Sequence, residues 1–332
     1  MHMALGAFPS RMRPLLAAWL FAGGAAAAHA FDLEAHRGGR GLAPENTLAA
    51  FSQAAALGVD TLELDIGLSA DGVPVISHDM RLNPDHTRDA QGRWLPAQGP
   101  AIHSLTVAQL QTYDVGRLNP GTAYGRQFAT QQPHDGERIP RLADLFERMR
   151  TQGAAHLRLN IETKTDPTQP DETAAPEPMV RALLAEIERA AGVAARVTVQ
   201  SFDWRTLARV GQLAPRLPRA YLTSARTLHD SRWTAGLSAA DAGSTPRLVK
   251  AAAGNGPGPV IWSPAYADLT QDALREAHAL GLAVLPWTVN HRADMARLLD
   301  WGVDGLITDY PDLLRSLMAE RGMPLPKGSP IQ

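Results

Sequence analysis

Two pairs of charged side chains stand two residues apart within short apolar segments of this sequence. Glu63 and Asp65 belong to TLELDIGL, and Glu162 and Lys164 belong to LNIETK. Residues i and i+2 of a β-strand point to the same face, so the members of each pair lie side by side. The apolar residues of TLELDIGL occupy the opposite face, which we expect helices to cover. The acidic face is therefore predicted to point into the interior of the barrel that the strands form.

The three carboxylates predict a site for one divalent cation. Inward-facing carboxylates need neutralising, and oxygen ligands without thiolates favour Mg²⁺ or Ca²⁺ over zinc. Lys164, beside Glu162, would bring positive charge toward an anionic substrate. Either pair alone is more often a buried ion pair or a solvated strand edge. Their recurrence at two strand ends favours the metal site.

Two histidines also stand at predicted strand ends, each followed by a charged residue. His36 precedes Arg37, and His78 precedes Asp79. A single histidine in such a place is more often structural, but two suggest a general acid and a general base. Arg37 and Lys164 can hold an anion. Two histidines, two cationic side chains and a carboxylate-bound cation together predict phosphodiester cleavage.

Short apolar runs alternate with helical patterns over the rest of the chain, and they position these residues. The predicted strands are 33–36, 61–66, 73–77, 157–163, 196–201, 220–223, 260–263, 283–289 and 305–308. The predicted helices are 47–57, 141–152, 178–191, 204–213, 270–280 and 292–301. This order predicts an α/β protein with a distorted (β/α)8 TIM barrel. A doubly wound open sheet is the alternative, although no G-x-G-x-x-G follows the first strand.

One connection departs from this alternation. The segment GLSADG is too short for a parallel crossover and predicts a hairpin that turns at residues 69–72. We expect Leu68 to pair with Val73, which sets Asp65 opposite Ile76.

Three segments rich in proline, glycine and polar residues fall outside the repeating units. Residues 80–140 predict an insertion after the third strand that covers one side of the barrel mouth. Residues 165–177 predict a loop after the fourth strand. Residues 321–332 predict a tail beyond a barrel domain that spans residues 31–320.

The first 30 residues have the pattern of a secretory signal peptide. Arg11 and Arg13 precede an apolar run over residues 15–28, and Ala28-His29-Ala30 resembles a cleavage site. The run is short for a membrane span, and no later run of about 18 apolar residues exists. We expect cleavage after about Ala30, a periplasmic or secreted protein, and no stable membrane insertion afterwards. An uncleaved anchor is the alternative.

The composition excludes several classes of function. The chain has 332 residues, 32 basic against 34 acidic side chains, and no cysteine. The net charge is −2 and there is no run of basic residues, so the sequence does not predict a basic surface for binding nucleic acid. The absence of cysteine excludes disulfides, thiol catalysis and thiolate metal ligands.

Six motifs resemble the glycerophosphodiester phosphodiesterase family, in the order of that family. They are HRGGRGLAPENT, LELDIGLSADGVPVISHD, IETK, QSFD, PWTVN and GVDGLITDYP, and they extend over residues 32–313. The resemblance implies a distorted TIM barrel, one divalent cation (Ca²⁺ or Mg²⁺), and hydrolysis of glycerophosphodiesters to sn-glycerol 3-phosphate and an alcohol. The 80–140 insertion resembles that of exported bacterial members.

The resemblance implies a role for each candidate residue of the catalytic centre. His36 and His78 match the catalytic histidines, and Glu63, Asp65 and Glu162 match the metal ligands.

Four further positions match substrate-binding residues of the family. Arg37 and Lys164 match the phosphate contacts, and Glu45 in PENT matches a position near metal and substrate. Trp287 matches an aromatic residue of the pocket wall that would contact the glycerol or alcohol group, with plain core packing as its alternative.

Two other functions stay open at this point. A lysophospholipase D would use the same site on lysophospholipids, and a long apolar groove in the insertion would favour it. A non-enzymatic binding protein would use the barrel mouth for capture alone. The sequence pattern does not determine the alcohol headgroup or the oligomeric state. It also does not determine which histidine is the general acid and which is the general base.

Overall fold

The computed structural model describes residue 2 and residues 31–331. The predicted signal peptide, residues 1–30, therefore lies almost entirely outside the described residues. Within the part of the chain that is described, no helix is both long and apolar enough to cross a membrane.

Nine strands form one sheet that closes nearly into a barrel. They are β1 Asp32–Ala35, β2 Thr61–Leu68, β3 Pro74–Ile76, β4 Arg158–Thr163, β5 Val197–Ser201, β6 Arg219–Thr223, β7 Val260–Pro264, β8 Ala283–Val284 and β9 Gly305–Thr308. The order along the sheet is β8-β7-β6-β5-β4-β2-β1-β9, with all neighbours parallel, and β3 pairs only with β2. The predicted distorted (β/α)8 barrel is confirmed.

Helices cover the outside of the barrel and occupy part of the insertion. They are α1 Leu48–Leu57, α2 Val107–Leu110, α3 Ala123–Gln127, α4 Leu142–Thr151, α5 Pro176–Arg189, α6 Trp204–Leu213, α7 Ala225–Leu228, α8 Ala239–Ala242, α9 Thr245–Ala253, α10 Gln271–Ala279, α11 Arg292–Trp301 and α12 Pro311–Glu320. Of the helices with at least nine residues, α9 and α12 were not predicted. In each of them proline lies in the first turn, where it breaks no helical hydrogen bond.

The core lies between the sheet and these helices. Leu62 and Leu64 of β2 are fully buried in a cluster that includes side chains of the surrounding helices. Alternation along β2 therefore turns Glu63 and Asp65 toward the barrel interior, as predicted.

The eighth strand is much shorter than predicted. β8 ends at Val284, whereas the apolar pattern had extended it to residue 289. Pro286 has no N–H to offer a ladder, so regular pairing stops before it. Irregular bonds join this segment to β9: Ile307 N donates to the Pro286 carbonyl (3.1 Å) and Val289 N donates to the Ile307 carbonyl (3.0 Å).

The β2–β3 hairpin is present, but its predicted register is wrong by one residue. Ser69 rather than its predecessor pairs with Val73, through a backbone bond of 3.0 Å. The Ser69 hydroxyl also accepts from Val73 N and donates to Asp71, which shortens the turn to three residues. Asp65 consequently lies opposite Ser77. The N–H of Ser77 donates to the carbonyl of Asp65 (3.0 Å).

The segment of residues 80–140 folds around a small apolar cluster separate from the barrel core. Its members are Val75, Leu82, Ile102, Leu110, Val115 and Ile139. The segment is also tied to the loop after β1, because Gln132 N donates to the Leu42 carbonyl (2.9 Å). It therefore stands against the end of the barrel that carries the β1 loop.

The C-terminal segment lies against the barrel helices. Ser329 is buried, and its N–H donates to the carbonyl of Ala55 in α1 (2.8 Å). Gln152 donates from its side-chain amide to the Ser329 carbonyl (2.8 Å). Hydrogen bonds to the backbone of Ser329 thus hold part of the segment that was predicted as a tail.

Candidate active site

The carboxyl ends of β1, β2 and β4 bring the predicted metal ligands and one histidine together. Asp65 lies directly opposite Glu162 in the parallel β2–β4 ladder. His36 follows the last residue of β1, beside the part of β2 that carries Glu63. In this architecture active sites lie at the carboxyl ends of the strands, so the position fits a catalytic centre.

Glu63, Asp65 and Glu162 form a buried carboxylate cluster. One oxygen from each lies within 4.8 Å of the others. Burial and the neighbouring carboxylates raise the pKa of Glu63 well above its ordinary value. Burial also raises the pKa of Glu162, to about 7, although Lys164 opposes this shift. Bringing three acids together without water therefore has an electrostatic cost that a bound cation would relieve.

The cluster fits a hard divalent cation. Asp65 Oδ1 is buried and has no hydrogen-bond partner. Lys164 brings a positive charge to this atom, because its Nζ lies 3.6 Å from Asp65 Oδ1 and 2.7 Å from Glu162 Oε1. All three donors are carboxylate oxygens, as Mg²⁺ and Ca²⁺ prefer.

Neighbouring amides orient the carboxylates. The side-chain amide of Gln200 donates to Glu63 Oε1 (2.6 Å), and the backbone N–H of Arg37 donates to Glu63 Oε2 (2.8 Å). Asn46 Nδ2 donates to Asp65 Oδ2 (3.0 Å). These contacts fix two of the three carboxylates in the direction of the cluster.

The loop after β1 needs an unusual backbone to make these contacts. Arg37 has a φ of 51°, Gly38 of 79° and Gly39 of 84°. A Cβ on Gly38 would lie only 2.9 Å from the Cβ of Ala50. The two glycines therefore allow the sharp turn that leaves the loop packed on α1.

His36 is held by a buried carboxylate that is distant in the sequence but follows the neighbouring strand β9. Its Nδ1 lies 2.5 Å from Asp309 Oδ1. Arg40 Nε (2.8 Å) and Asn290 Nδ2 (2.7 Å) also donate to Asp309. Burial lowers the pKa of His36 to about 4, and Asp309 only partly opposes this. The imidazole is therefore neutral near pH 7, with its proton on Nδ1 and its lone pair on Nε2, which lies 4.0 Å from Glu63 Oε2.

His78 is anchored by its neighbour in the sequence. Its Nδ1 lies 3.1 Å from Asp79 Oδ1. Burial lowers the pKa of His78, and the positive charges of Arg37 and Lys164 act in the same direction. Both histidines thus present Nδ1 to a carboxylate and keep Nε2 available.

Both histidines line one cavity of about 120 Å³. Glu63 and Glu162 of the carboxylate cluster line it as well. Trp287 forms part of another wall, with its ring edge-to-face on Phe202 at 5.3 Å between centroids. This one cavity therefore joins the carboxylates, the acid–base candidates and an aromatic surface.

The two predicted cationic side chains lie among the carboxylates. Lys164 contacts Glu162 and Asp65, and Arg37 Nε lies 3.3 Å from Asp65 Oδ2. Glu45 is not a member of the cluster. It accepts from Arg37 Nη1 (2.7 Å) and from the Tyr124 hydroxyl. Burial would raise its pKa, but the positive charges of Arg37, His86 and Arg40 together lower it to about 2.

Several site residues were missed by reasoning from the sequence. Asp309 directly follows β9, the same strand-end position that marks His36, and this signal was available. Gln200 and Asn290 carry no charge and gave no comparable signal. Tyr124 reaches the site from the insertion, and no local pattern predicts that contact.

The fold and the site define a barrel enzyme that hydrolyses phosphate diesters. The model of the glycerophosphoryl diester phosphodiesterase family matches residues 36–313. The chain belongs to this family, and its activity is that of a glycerophosphodiester phosphodiesterase.

Individual relatives agree with this assignment. A glycerophosphodiester phosphodiesterase of Bacillus subtilis is 31% identical over 288 residues, which are 85% of each chain. The crystal structure of a putative glycerophosphoryl diester phosphodiesterase from Silicibacter pomeroyi has a TM-score of 0.79 and 36% identity, and covers 89% of this chain and 95% of that one. A phosphodiesterase of Oleispira antarctica, solved with sn-glycerol-3-phosphate, shares the fold at 24% identity and a TM-score of 0.62, with 87% and 96% covered.

Proposed function

We propose that this chain hydrolyses glycerophosphodiesters to sn-glycerol 3-phosphate and an alcohol, with one divalent cation and two catalytic histidines. The observation that carries the proposal is the shared cavity. His36 and His78 line this cavity, and each is held by a carboxylate of its own. Glu63 and Glu162 of the carboxylate cluster line the same cavity.

Glu63, Asp65 and Glu162 would hold the cation, which is Ca²⁺ or Mg²⁺. When bound, the cation neutralises negative charge on a non-bridging phosphate oxygen. Arg37 and Lys164, which already contact these carboxylates, would contact the phosphate beside it.

The two histidines would divide the proton transfers between them. A neutral imidazole with Nδ1–H held by a carboxylate can accept a proton at Nε2 from the attacking hydroxyl or water. The other imidazole would first take a proton from solvent at Nε2 and then donate it to the oxygen of the leaving alcohol. Trp287 would contact the glycerol or alcohol group, since it lines the same cavity.

Lysophospholipase D activity is not favoured. The cavity of about 120 Å³ is small, and its described lining includes His36, Arg37, Arg40, Glu63, His78 and Glu162. These charged and polar groups suit a water-soluble diester better than an acyl chain.

The test is a product assay on residues 31–332. The protein is treated with EDTA, then given Ca²⁺ or Mg²⁺, and glycerol 3-phosphate is measured from glycerophosphocholine and glycerophosphoglycerol. His36→Ala and His78→Ala are compared with His156→Ala, a matched change at an exposed histidine. We expect metal-restored release in wild type and His156→Ala, and a loss of about 100-fold or more in the other two variants. Full activity in either site variant would refute the acid–base assignment.

A further inference from the structure

Asp79 binds two histidines at once. Its Oδ1 lies 3.1 Å from His78 Nδ1, and its Oδ2 lies 3.1 Å from His86 Nε2. Asn83 Nδ2 also donates to Oδ2, at 2.8 Å. His86 belongs to the insertion, so the insertion supplies a ring that reaches the carboxylate behind His78.

The carboxylate determines which nitrogens of the two rings carry protons. Burial would raise the pKa of Asp79, but its hydrogen bonds to His78 and His86 outweigh burial and hold this pKa well below the ordinary range. An ionised carboxylate only accepts hydrogen bonds. His78 therefore donates from Nδ1 and keeps Nε2 for the reaction, while His86 donates from Nε2.

His86 is itself held in place from the insertion and from the β1 loop. Its side chain is only 15% exposed. Its ring lies 6.5 Å from that of Tyr124, tilted by 53°. Tyr124 donates its hydroxyl to Glu45, which in turn binds Arg37. The His86 ring thus stands in a packed and hydrogen-bonded wall rather than in solvent.

We propose that His86 is a positioning residue for His78 and acts through Asp79. The inference rests on the proposed function, because it assumes that His78 takes part in proton transfer. With His86 in place, Oδ1 of Asp79 faces His78 and Oδ2 accepts from two donors, His86 and Asn83, which hold the carboxylate toward His78 Nδ1. Without His86, one side of Asp79 keeps only Asn83, and the carboxylate and the His78 ring gain freedom to rotate.

The effect should fall on turnover rather than on substrate binding. His86 is not among the residues that line the 120 Å³ cavity, whereas His78 is. We expect His86→Leu to lower kcat by about 10-fold with KM changed less than about 2-fold. His86→Gln should recover most of kcat, because its amide can donate from the place of Nε2.

The test measures kcat and KM of the metal-loaded enzyme on glycerophosphoglycerol. His134→Leu is the matched control, since His134 also belongs to the insertion but is exposed. Asp79→Asn and the double variant with His86→Leu complete a cycle. If His86 acts through Asp79, its removal should cost much less in the Asp79→Asn background than in wild type.

The outcomes separate this inference from the proposed function. Activity in His78→Ala would refute the catalytic role of His78 and with it the proposed function. Inactive His78→Ala together with wild-type kcat in His86→Leu would refute the positioning role alone. Thermal unfolding of each variant identifies loss of fold, and equal losses of kcat in folded His86→Leu and His86→Gln would also overturn the role.

Discussion

Asp309 is the buried carboxylate that holds His36 in place. It is fully buried, and three side chains donate to it: His36, Arg40 and Asn290. Burial would raise its pKa, but the His36 and Arg40 partners bring it well below the ordinary range. The residue is therefore a fixed negative charge that selects the Nδ1–H tautomer of His36.

Neutralising Asp309 should impair catalysis more than stability. In Asp309→Asn the amide can present its NH₂ to His36 and favour the wrong tautomer, so we expect kcat to fall by about 100-fold or more. The matched control is Asp300→Asn, an exposed aspartate paired with Arg321. Steady-state kinetics and thermal unfolding check both variants. An unchanged kcat in Asp309→Asn would contradict the role of this carboxylate.

The affinity for the divalent cation should rise with pH near neutrality. A metal ligand must be ionised, and the pKa of Glu162 is raised to about 7 by burial. Glu162 is mostly protonated at pH 6 and mostly ionised at pH 8, so the cation competes with a proton at the lower pH. Calorimetric titration of the EDTA-treated protein should show affinity about 10-fold higher at pH 8 than at pH 6. Equal affinities would show that Glu162 is not a ligand that must release a proton.

At the scale of elements, the loop between β1 and α1 depends on close backbone approach. Gly38→Ala would combine a positive φ with a Cβ placed 2.9 Å from that of Ala50. We expect it to lower the free energy of unfolding by about 2 to 3 kcal/mol and to reduce activity, because Arg37 would move. The control is Gly153→Ala, where φ is 72° but nothing lies within 4 Å.

The two glycine variants separate crowding from backbone strain. Gly153→Ala should lose only about 1 kcal/mol, and it should keep full activity because Gly153 lies in the loop before β4, whereas Glu162 lies near the carboxyl end of that strand. Urea unfolding and kcat provide the measurements. Equal losses of stability in both variants would contradict the claim that packing on Ala50 constrains this loop.

Strand ends were the most predictable part of the site. Period-two alternation placed Glu63 and Asp65 correctly on the inner face of β2, and parallel strands bring such ends together. The register of the β2–β3 hairpin was not predictable from apolar spacing, because side-chain bonds of Ser69 decide the turn length.

Long-range partners were the least predictable part. Asp309 stands 273 residues from His36, and only closure of the barrel brings them into contact. Tyr124 and His86 depend on how the insertion packs, and its polar, proline-rich sequence has no periodicity from which to read that packing. Pro286 ended β8 early although the apolar pattern continued past it.

At the scale of the whole molecule, the barrel and its insertion act as one site. The barrel supplies the carboxylate cluster and His36, while the insertion supplies Tyr124, which binds Glu45, and His86, which binds Asp79. This arrangement suits an enzyme that works without disulfides, since the chain contains no cysteine. Its stability must come from the apolar cores of the barrel and of the insertion and from the hydrogen bonds between the two parts.

Export remains a proposal at this scale. We propose that residues 1–30 direct the protein to the periplasm or the medium and are removed after about Ala30. Expression of the full chain in a bacterial host should give an exported protein whose intact mass is that of a chain beginning at Phe31. Ala30→Gln, which places a bulky residue at the cleavage position, should accumulate the longer form. A protein that starts at Met1 and stays with the membrane would instead support the uncleaved anchor.

The central claim is that the Glu63, Asp65 and Glu162 cluster makes glycerophosphodiester hydrolysis dependent on a divalent cation. The most direct measurement is glycerol 3-phosphate release by EDTA-treated protein as Mg²⁺ or Ca²⁺ is titrated back, for wild type and Glu63→Gln. We predict that wild type recovers saturably with metal, and that Glu63→Gln recovers little or only at much higher metal concentration. Full release in the presence of EDTA, or identical metal curves for the two proteins, would contradict the account.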